Sequence, residues 1–549
     1  MSQFYQRVCQ QCLFTLVLLL CPVLAQAYLP GTIQRVSIAP KNAEPNAASE
    51  SPAVDNDGSH VAFLSRATNM TSIPVPANTR QAYLRDMNNG SVQLVSLNPD
   101  GNPLSTGVQE VDISGDGQFV IFTSQYVTGP PKSFPSELYI RDVAAQTTTR
   151  ITDYTSYNGF VDDGIAISSD GRYVSFSGYR SNLVPDLDNT TMYVFRWDRL
   201  TGVTEVASRS YFGEPVYGRG LTDISEDGRF VLYESPRPDI TFGDTNDGND
   251  VFVRDMEKGI NLRASLANDG SQFDFYIMPA RLSGNGRYVA MMILDDGKDL
   301  MYPDSNTGIS LDGYVRDLML NTTRRVTIST EGYEANDYNS GVVSISQDGQ
   351  VAVFESLSSN FDHGDTNGDW DVFVRDVANG HTDRVSRSMN GNFSGNLGSY
   401  TAVISDDGTH VAFASKASDL VGGDNNHVAD VFIATLVEGT HIPRYRFKWP
   451  LEYNPWVNPY FKDLVEKVLL DHDHNPRTKP VAVLDYEVTQ WRESLLQVGS
   501  CLLPIPANEE QFTHMLLEGK YISAEGEESE WVDGCLPDAV LGAIRAELR

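Results

Sequence analysis

Cysteine is scarce in this 549-residue chain: there are five, and Cys9, Cys12 and Cys21 lie within the first 27 residues. That stretch carries one basic residue, Arg7, then an apolar run from Leu13 to Leu24, and ends in Ala25-Gln26-Ala27. This is the layout of a secretory signal peptide with a small-x-small cleavage site. The run is too short to cross a bilayer as an ordinary helix, and Leu20 stands where a lipoprotein anchor at Cys21 would need a small residue. Residues 1–27 are therefore expected to be removed on export to the periplasm or beyond, leaving no transmembrane segment. Only Cys501 and Cys535 remain, and in an oxidising compartment they are expected to form a disulfide rather than two buried thiols. The long stretch before them has no cysteine and must be held by packing alone.

Positive charge is also short. Lys and Arg number 41 against 73 Asp and Glu, for a net charge of −32. A chain so acidic repels phosphate backbones, which argues against nucleic acid as a partner. Catalytic signatures are missing as well. There is no G-x-S-x-G, no H-E-x-x-H and no phosphate loop, and the tail after the last repeat is too short for a hydrolase domain.

What the chain has is repetition. A hairpin with Asp-Gly or Asn-Gly at its turn recurs seven times, 54 to 63 residues apart: VDNDGSHVAFLS (54–65), ISGDGQFVIFTS (113–124), ISSDGRYVSFSG (167–178), ISEDGRFVLYES (224–235), LSGNGRYVAMMI (282–293), ISQDGQVAVFES (345–356) and ISDDGTHVAFAS (404–415). Alternating apolar residues on either side of a Gly that accepts positive φ define a β-hairpin. A strand of the VFVRD kind follows each copy, and a fourth strand follows six of the seven. The seventh unit lacks its fourth strand, but IQRVSIA (33–39) fits that pattern and precedes the first hairpin. The predicted fold is all-β: a seven-bladed β-propeller, residues 28–439, closed by this N-terminal strand. A linear β-solenoid is the runner-up, and it leaves the displaced strand unexplained.

The S-x-D-G-R-x-V-A-F-x-S hairpin resembles the WD40-like propeller repeat of the TolB type, common in exported bacterial proteins. The fuller pattern, with Asp-Thr-Asn-Gly before Asp-Val-Phe-Val-Arg-Asp, is similar to a long variant of such propellers. The resemblance spans about residues 32–437 and implies the fold. For function it implies only that such propellers serve as scaffolds, binders and enzyme accessories. TolB itself carries an α/β domain ahead of six blades, and here one strand precedes the blades.

The acidic loops between second and third strands carry the sharpest chemistry. In DTNGDWD, Asp365, Asn367, Asp369 and Asp371 occupy positions 1, 3, 5 and 7. Calcium takes six to eight oxygens, and alternate short carboxylates and amides on a tight loop supply them. Asp244, Asn246 and Asp250 repeat positions 1, 3 and 7, as do Asp424, Asn426 and Asp430. Asp304 and Asn306 begin a fourth loop whose closing Asp312 comes one position late. Asx-rich turns that bind nothing have the same composition. The shared register raises the expectation of calcium, held with modest affinity. The Arg-Asp closing each third strand, as in Arg375-Asp376, reads as structural: its two side chains point to opposite faces and the Asp can cap the following turn.

In a propeller these loops share a face with the fourth-to-first-strand crossovers, which here are long and rich in Gly, Asn, Ser and Tyr. That face is the expected docking surface for a protein or polysaccharide. Composition shifts after Gly439 to a Pro- and aromatic-rich linker (440–460), then to a predicted helical domain (461–549). The favoured functional reading is an exported, monomeric, calcium-binding interaction scaffold. The alternative is a calcium-dependent propeller enzyme of the lyase or lactonase type. Acidic and His residues converging on the central channel would favour the enzyme.

Overall fold

A computed structural model describes residues 26–440 apart from short loop segments, of which 125–135, 153–160 and 296–309 are the longest, together with 520–522 and 528–530. The expectations for residues 1–25, for Asp304 and Asn306, for Cys501 and Cys535 and for the helices of the tail lie outside the described residues. Within the tail, Lys520–Ile522 pairs antiparallel with Glu528–Glu530, an element the helical reading did not include.

Seven four-stranded antiparallel sheets make a seven-bladed β-propeller. We number the blades by their hairpins. Blade 1, for example, consists of Ser49–Val54, His60–Ser65, Gln81–Asp86 and Val92–Leu94. Blade 7 draws Ser399–Ile404, His410–Ser415 and Asp430–Thr440 from the end of the repeat region. Its fourth position is taken by Gln26–Arg35 from the other end of the chain, and Val36 donates its N–H to the Val431 carbonyl at 2.7 Å.

Each blade is built the same way because the same residues recur. In six blades the Ser of the hairpin turn accepts a hydrogen bond from the N–H five residues on and donates to the Asp or Asn side chain, as Ser114 does with Phe119 (2.9 Å) and Asp116 (2.6 Å); in blade 1 Asp55 accepts from His60 N–H in its place. The turn Gly takes positive φ, +69° at Gly117 and +66° at Gly171, a conformation cheap only for glycine. The second and third strands place large rings opposite one another: Phe63 with Tyr83, Phe122 with Tyr139, Phe176 with Phe195, Phe354 with Phe373 and Phe413 with Phe432. Successive blades bury aliphatic residues between them, so the core is a set of apolar layers at the junctions, with Phe119 and Ile121 of blade 2 against Val174 and Phe176 of blade 3 as one instance.

The Arg-Asp pair is structural, and its two members act in different directions. Asp255 accepts a two-pronged ion pair from Arg229 (3.0 and 2.6 Å) and the N–H groups of Glu257 and Lys258. Arg375 points the other way and donates to the Ile328 and Ser329 carbonyls of the preceding blade, 3.2 Å each.

Candidate functional site

The hairpin turns meet around the axis. The N–H of Asn56 donates to the Gly115 carbonyl, Asp116 to Ser169, Ser169 to Glu226, Glu226 to Gly284, Asn285 to Gln347, Gln347 to Asp406 and Asp407 back to Asn56, at 2.9 to 3.4 Å. Seven backbone hydrogen bonds thus cinch one end of the channel, one at every junction. The residue between Ser and Asp in S-x-D-G aims into this mouth, a position the sequence pattern leaves as "x". Gly115 and Gly284 make room there: a Cβ on Gly115 would lie 1.9 Å from Asn56 Oδ1, and one on Gly284 2.8 Å from Glu226 Cγ. Across those gaps Asn56 donates to Ser169 Oγ (3.0 Å) and Gln347 to Glu226.

Above the mouth lies a cavity of about 560 Å³ lined by all seven blades. Every innermost strand is bulged midway, between Glu50 and Ala53 in blade 1 and between Val108 and Val111 in blade 2. A bulge leaves ladder groups unpaired and re-aims side chains, and the channel carboxylates accept from N–H groups in and beside the bulges. Glu110 accepts from Gly164 (3.1 Å), Asp112 from Ile167 (3.2 Å), Asp223 from Leu282 (2.8 Å) and Glu355 from Ala402 (3.0 Å), each in the next blade or the next innermost strand. Much of the channel's acidity is therefore bound up in joining blades.

The electrostatics are one-sided. Six carboxylates line the cavity (Glu110, Asp112, Asp223, Glu226, Glu355 and Asp406), and Arg281 is the one cation among its lining residues. Burial pushes Asp112 up to about 7, with the Asp223 charge adding to it and the two N–H donors opposing. Burial likewise raises Asp223 and Glu355. Asp406 is driven well up, first by burial and then by the Glu226 carboxylate beside it. One oxygen of Glu226 receives the Gln347 amide and the other is buried beside Asp406, so burial and the neighbouring carboxylate together favour the protonated form of Asp406. Two carboxyl groups in contact can pass a proton between them, which is the chemistry this site offers. No His reaches the cavity lining. Among the described residues no three His, Cys, Asp or Glu side chains converge as a metal site.

The expected metal loops behave differently from the channel. Their closing acid belongs to a latch that runs through the blades. Asp250 accepts Ser265 Oγ at 2.5 Å and lies 3.7 Å from Arg263, which also pairs with Asp244 at 3.0 Å. Asp371 accepts Ser386 Oγ at 2.5 Å and lies 3.5 Å from Arg384, which pairs with Asp362 at 3.0 Å. Asp430 accepts Ser37 Oγ at 2.5 Å and lies 3.5 Å from Arg35, which reaches Asp424 at 3.3 Å. Asp312, one position late by sequence, joins Arg325 (3.8 Å) and Thr327 (3.1 Å) in the same way. Blade 2 lacks the loop motif yet retains an Arg150–Glu137 pair at 3.3 Å. The signal is visible in hindsight: wherever an acid opens the third strand, the fourth reads Arg-x-Ser or Arg-x-Thr.

Positions 1, 3 and 5 divide by blade. Asp369 accepts the N–H groups of Trp370 (2.9 Å) and Gly398 (3.0 Å) and ties its loop to the entry of blade 7. Asn367 donates to the Gly395 carbonyl and accepts from Asp369 N–H, both at 2.9 Å. Both carboxylate oxygens of Asp365 are buried, close to the N–H groups of Asn367 and Gly368 without a well-formed hydrogen bond to either. In blade 4, Asn246 Oδ1 and Asp250 Oδ2 are buried and receive no hydrogen bond. In blade 7 the corresponding groups are served, since Asn426 donates to Asp430 (2.8 Å) and accepts from Val428 N–H (3.1 Å). Burial raises Asp365, Asp424 and Asp430, and lifts Asp371 to about 7 and Asp250 to about 6, in spite of the arginines.

No family model matches the sequence, and no curated protein is similar to it. Solved structures do resemble the fold. An oligogalacturonate lyase in complex with manganese is similar over 76% of this chain and 97% of its own, at 13% identity and a TM-score of 0.45. An oligogalacturonate lyase from Vibrio parahaemolyticus is similar over 75% and 96%, at 11% identity and 0.46. TolB from Acinetobacter baumannii is similar over 60% of this chain and 63% of its own, at 13% identity and 0.36. The propeller thus has TolB-like and lyase propellers among its structural neighbours, and at these scores the likeness says nothing of what it binds.

Proposed function

We propose that this chain is an exported β-propeller scaffold that takes up calcium on its loop face, at the loops of blades 4 and 6, and there engages a protein or glycan. The observation that carries the reading is the set of buried oxygens on those loops that receive no well-formed hydrogen bond: Asp365 Oδ1 and Oδ2, Asn246 Oδ1 and Asp250 Oδ2. A buried acceptor without a partner costs about 1–3 kcal/mol, and a hard cation relieves several at once. Asp365 with Asn367, and Asp244 with Asn246 and Asp250, supply the ligands. Blade 7 stands second to them, because Asn426 already donates to Asp430 where the matching oxygen of Asp250 receives no hydrogen bond. The nearby arginines weaken the sites and suit them to a calcium-rich compartment.

The test is thermal unfolding of the exported protein in EDTA and then in millimolar calcium. A midpoint that rises with calcium by ligand linkage, and rises less in Asp365→Ala and Asn246→Ala but fully in Asn426→Ala, supports the reading. A midpoint indifferent to calcium overturns it.

A second reading, a calcium-dependent enzyme of the lyase or lactonase type at the channel, is favoured by one feature, the contacting Glu226–Asp406 carboxyl pair beneath an acid-lined cavity. It predicts turnover of a polysaccharide or lactone that Glu226→Gln abolishes. Binding without turnover, with calcium present, removes it.

A further inference from the structure

Three aromatic rings stand in contact on the loop face of blade 4. Tyr211 lies between Phe212 and Phe242, at centroid distances of 4.0 and 4.2 Å. The three residues are 38%, 77% and 82% exposed, respectively. An aromatic side chain presents roughly 150–250 Å², so the ridge leaves on the order of 400 Å² of ring surface in water, within the range of the largest patches on monomers. It is held rather than loose. Tyr211 N–H donates to the Asp239 carbonyl at 2.9 Å, and Asn261 Nδ2 ties Arg209 O (2.8 Å) to Ile240 O (3.0 Å), joining the two stretches that carry the rings. Ordering costs that a ligand would otherwise meet are thus already met.

We propose that this ridge is a binding platform for a neutral polysaccharide. The proposal rests on the scaffold reading above but not on its calcium. One face of a pyranose ring is a row of C–H groups with partial positive charge, which stack on the negative face of an aromatic ring. Beside the ridge, Arg237 and Asp239 form a two-pronged pair at 3.0 and 2.7 Å. Their side chains remain 49% and 35% exposed, presenting donors and acceptors to sugar hydroxyls. The surroundings are open: a Cβ built on Gly213 or Gly243 meets nothing within 4 Å. A protein hot spot sits in a pocket that excludes water, and an open ridge fits a sugar chain better. A net charge of −32 rules against polyanionic glycans.

The experiment is native affinity electrophoresis of the full exported chain through gels containing dextran, laminarin, arabinoxylan, galactomannan or hydroxyethylcellulose, with polygalacturonate as the charged control. Each gel is run in EDTA and in calcium. At least one neutral glycan is expected to retard the protein, polygalacturonate is not, and Phe212→Ala/Phe242→Ala should weaken the retardation at least tenfold while melting with the parent protein. Retardation that persists in EDTA separates the platform from the calcium reading. No retardation by any neutral glycan, or equal retardation of parent and variant, overturns the proposal. So does a ridge whose loss abolishes only the capture of a protein.

Discussion

Arg384 is fully buried, and so is Asp371 at the start of the third strand of blade 6. Replacing Arg384 with Met keeps much of the volume, leaves Asp371 without its cation and leaves Asp362 only the more distant Arg387 at 3.9 Å. Removing one partner of a buried ion pair costs about 3–5 kcal/mol. Unfolding entropy near 2.1 cal/mol/K per residue, over a propeller of about 400 residues, converts each kcal/mol into roughly 1.2 °C. Arg384→Met should therefore melt about 4–6 °C below the parent in EDTA. Asp371→Asn should fall by less, because an amide still accepts from Ser386, and the double variant should recover part of the loss instead of adding the two penalties.

The pH dependence gives the same variant a second, independent reading. Asp371 is pushed up to about 7, by burial ahead of every other cause, and Arg384 is one of the groups holding it down. For a carboxyl with a raised folded value, the native state binds the proton more tightly than the unfolded chain. Its contribution is whole below the unfolded value near 3.9 and is lost as pH rises through about 7. Without Arg384 the carboxyl rises further, so the Arg384→Met penalty should be largest at pH 8 and shrink towards pH 5. Scanning calorimetry of the four proteins at both values measures this. A variant melting within 1 °C of the parent at pH 8, or two single losses that simply add, would refute the latch.

Three other outcomes follow from the channel and the turns. Asp112, raised to about 7 by burial, should lower stability between pH 5 and pH 8 by about 1–3 kcal/mol; comparing the pH dependence of parent and Asp112→Asn melts isolates that share from the general repulsion of an acidic chain, and identical dependences would show the carboxyl to be solvated. Gly171→Ala puts a Cβ 2.1 Å from Phe119 at a φ of +66°, and should cost at least about 2 kcal/mol, read as a fall of several degrees in midpoint. Arg229→Gln breaks a two-pronged ion pair in which Arg229 is 25% exposed and Asp255 is buried, and should cost about 1–3 kcal/mol, checked by the same melt.

The repeat was legible because a propeller writes its turn chemistry seven times over. Ser, Asp and Gly recur where one hydroxyl, one carboxylate and one positive φ are needed, as at Ser114, Asp116 and Gly117. The channel was not legible, for the same reason. Its character is set at the position the motif leaves free, and Asn56, Ser169, Glu226, Gln347 and Asp406 come from blades far apart in sequence. Their meeting follows from ring closure and from the glycines at 115 and 284, not from any local spacing. The acidic loops lie between these extremes. Their 1-3-7 spacing is real, but position 7 is shared by two demands that sequence alone cannot separate, a cation site and an arginine latch. Glu137 and Arg150 separate them. Blade 2 has no Asp-Thr-Asn-Gly loop, yet it keeps the acid and the arginine 3.3 Å apart. The closing acid is thus part of what holds the third and fourth strands together, and the calcium question rests on Asp365, Asn246 and Asp250, whose buried oxygens the latch leaves unserved.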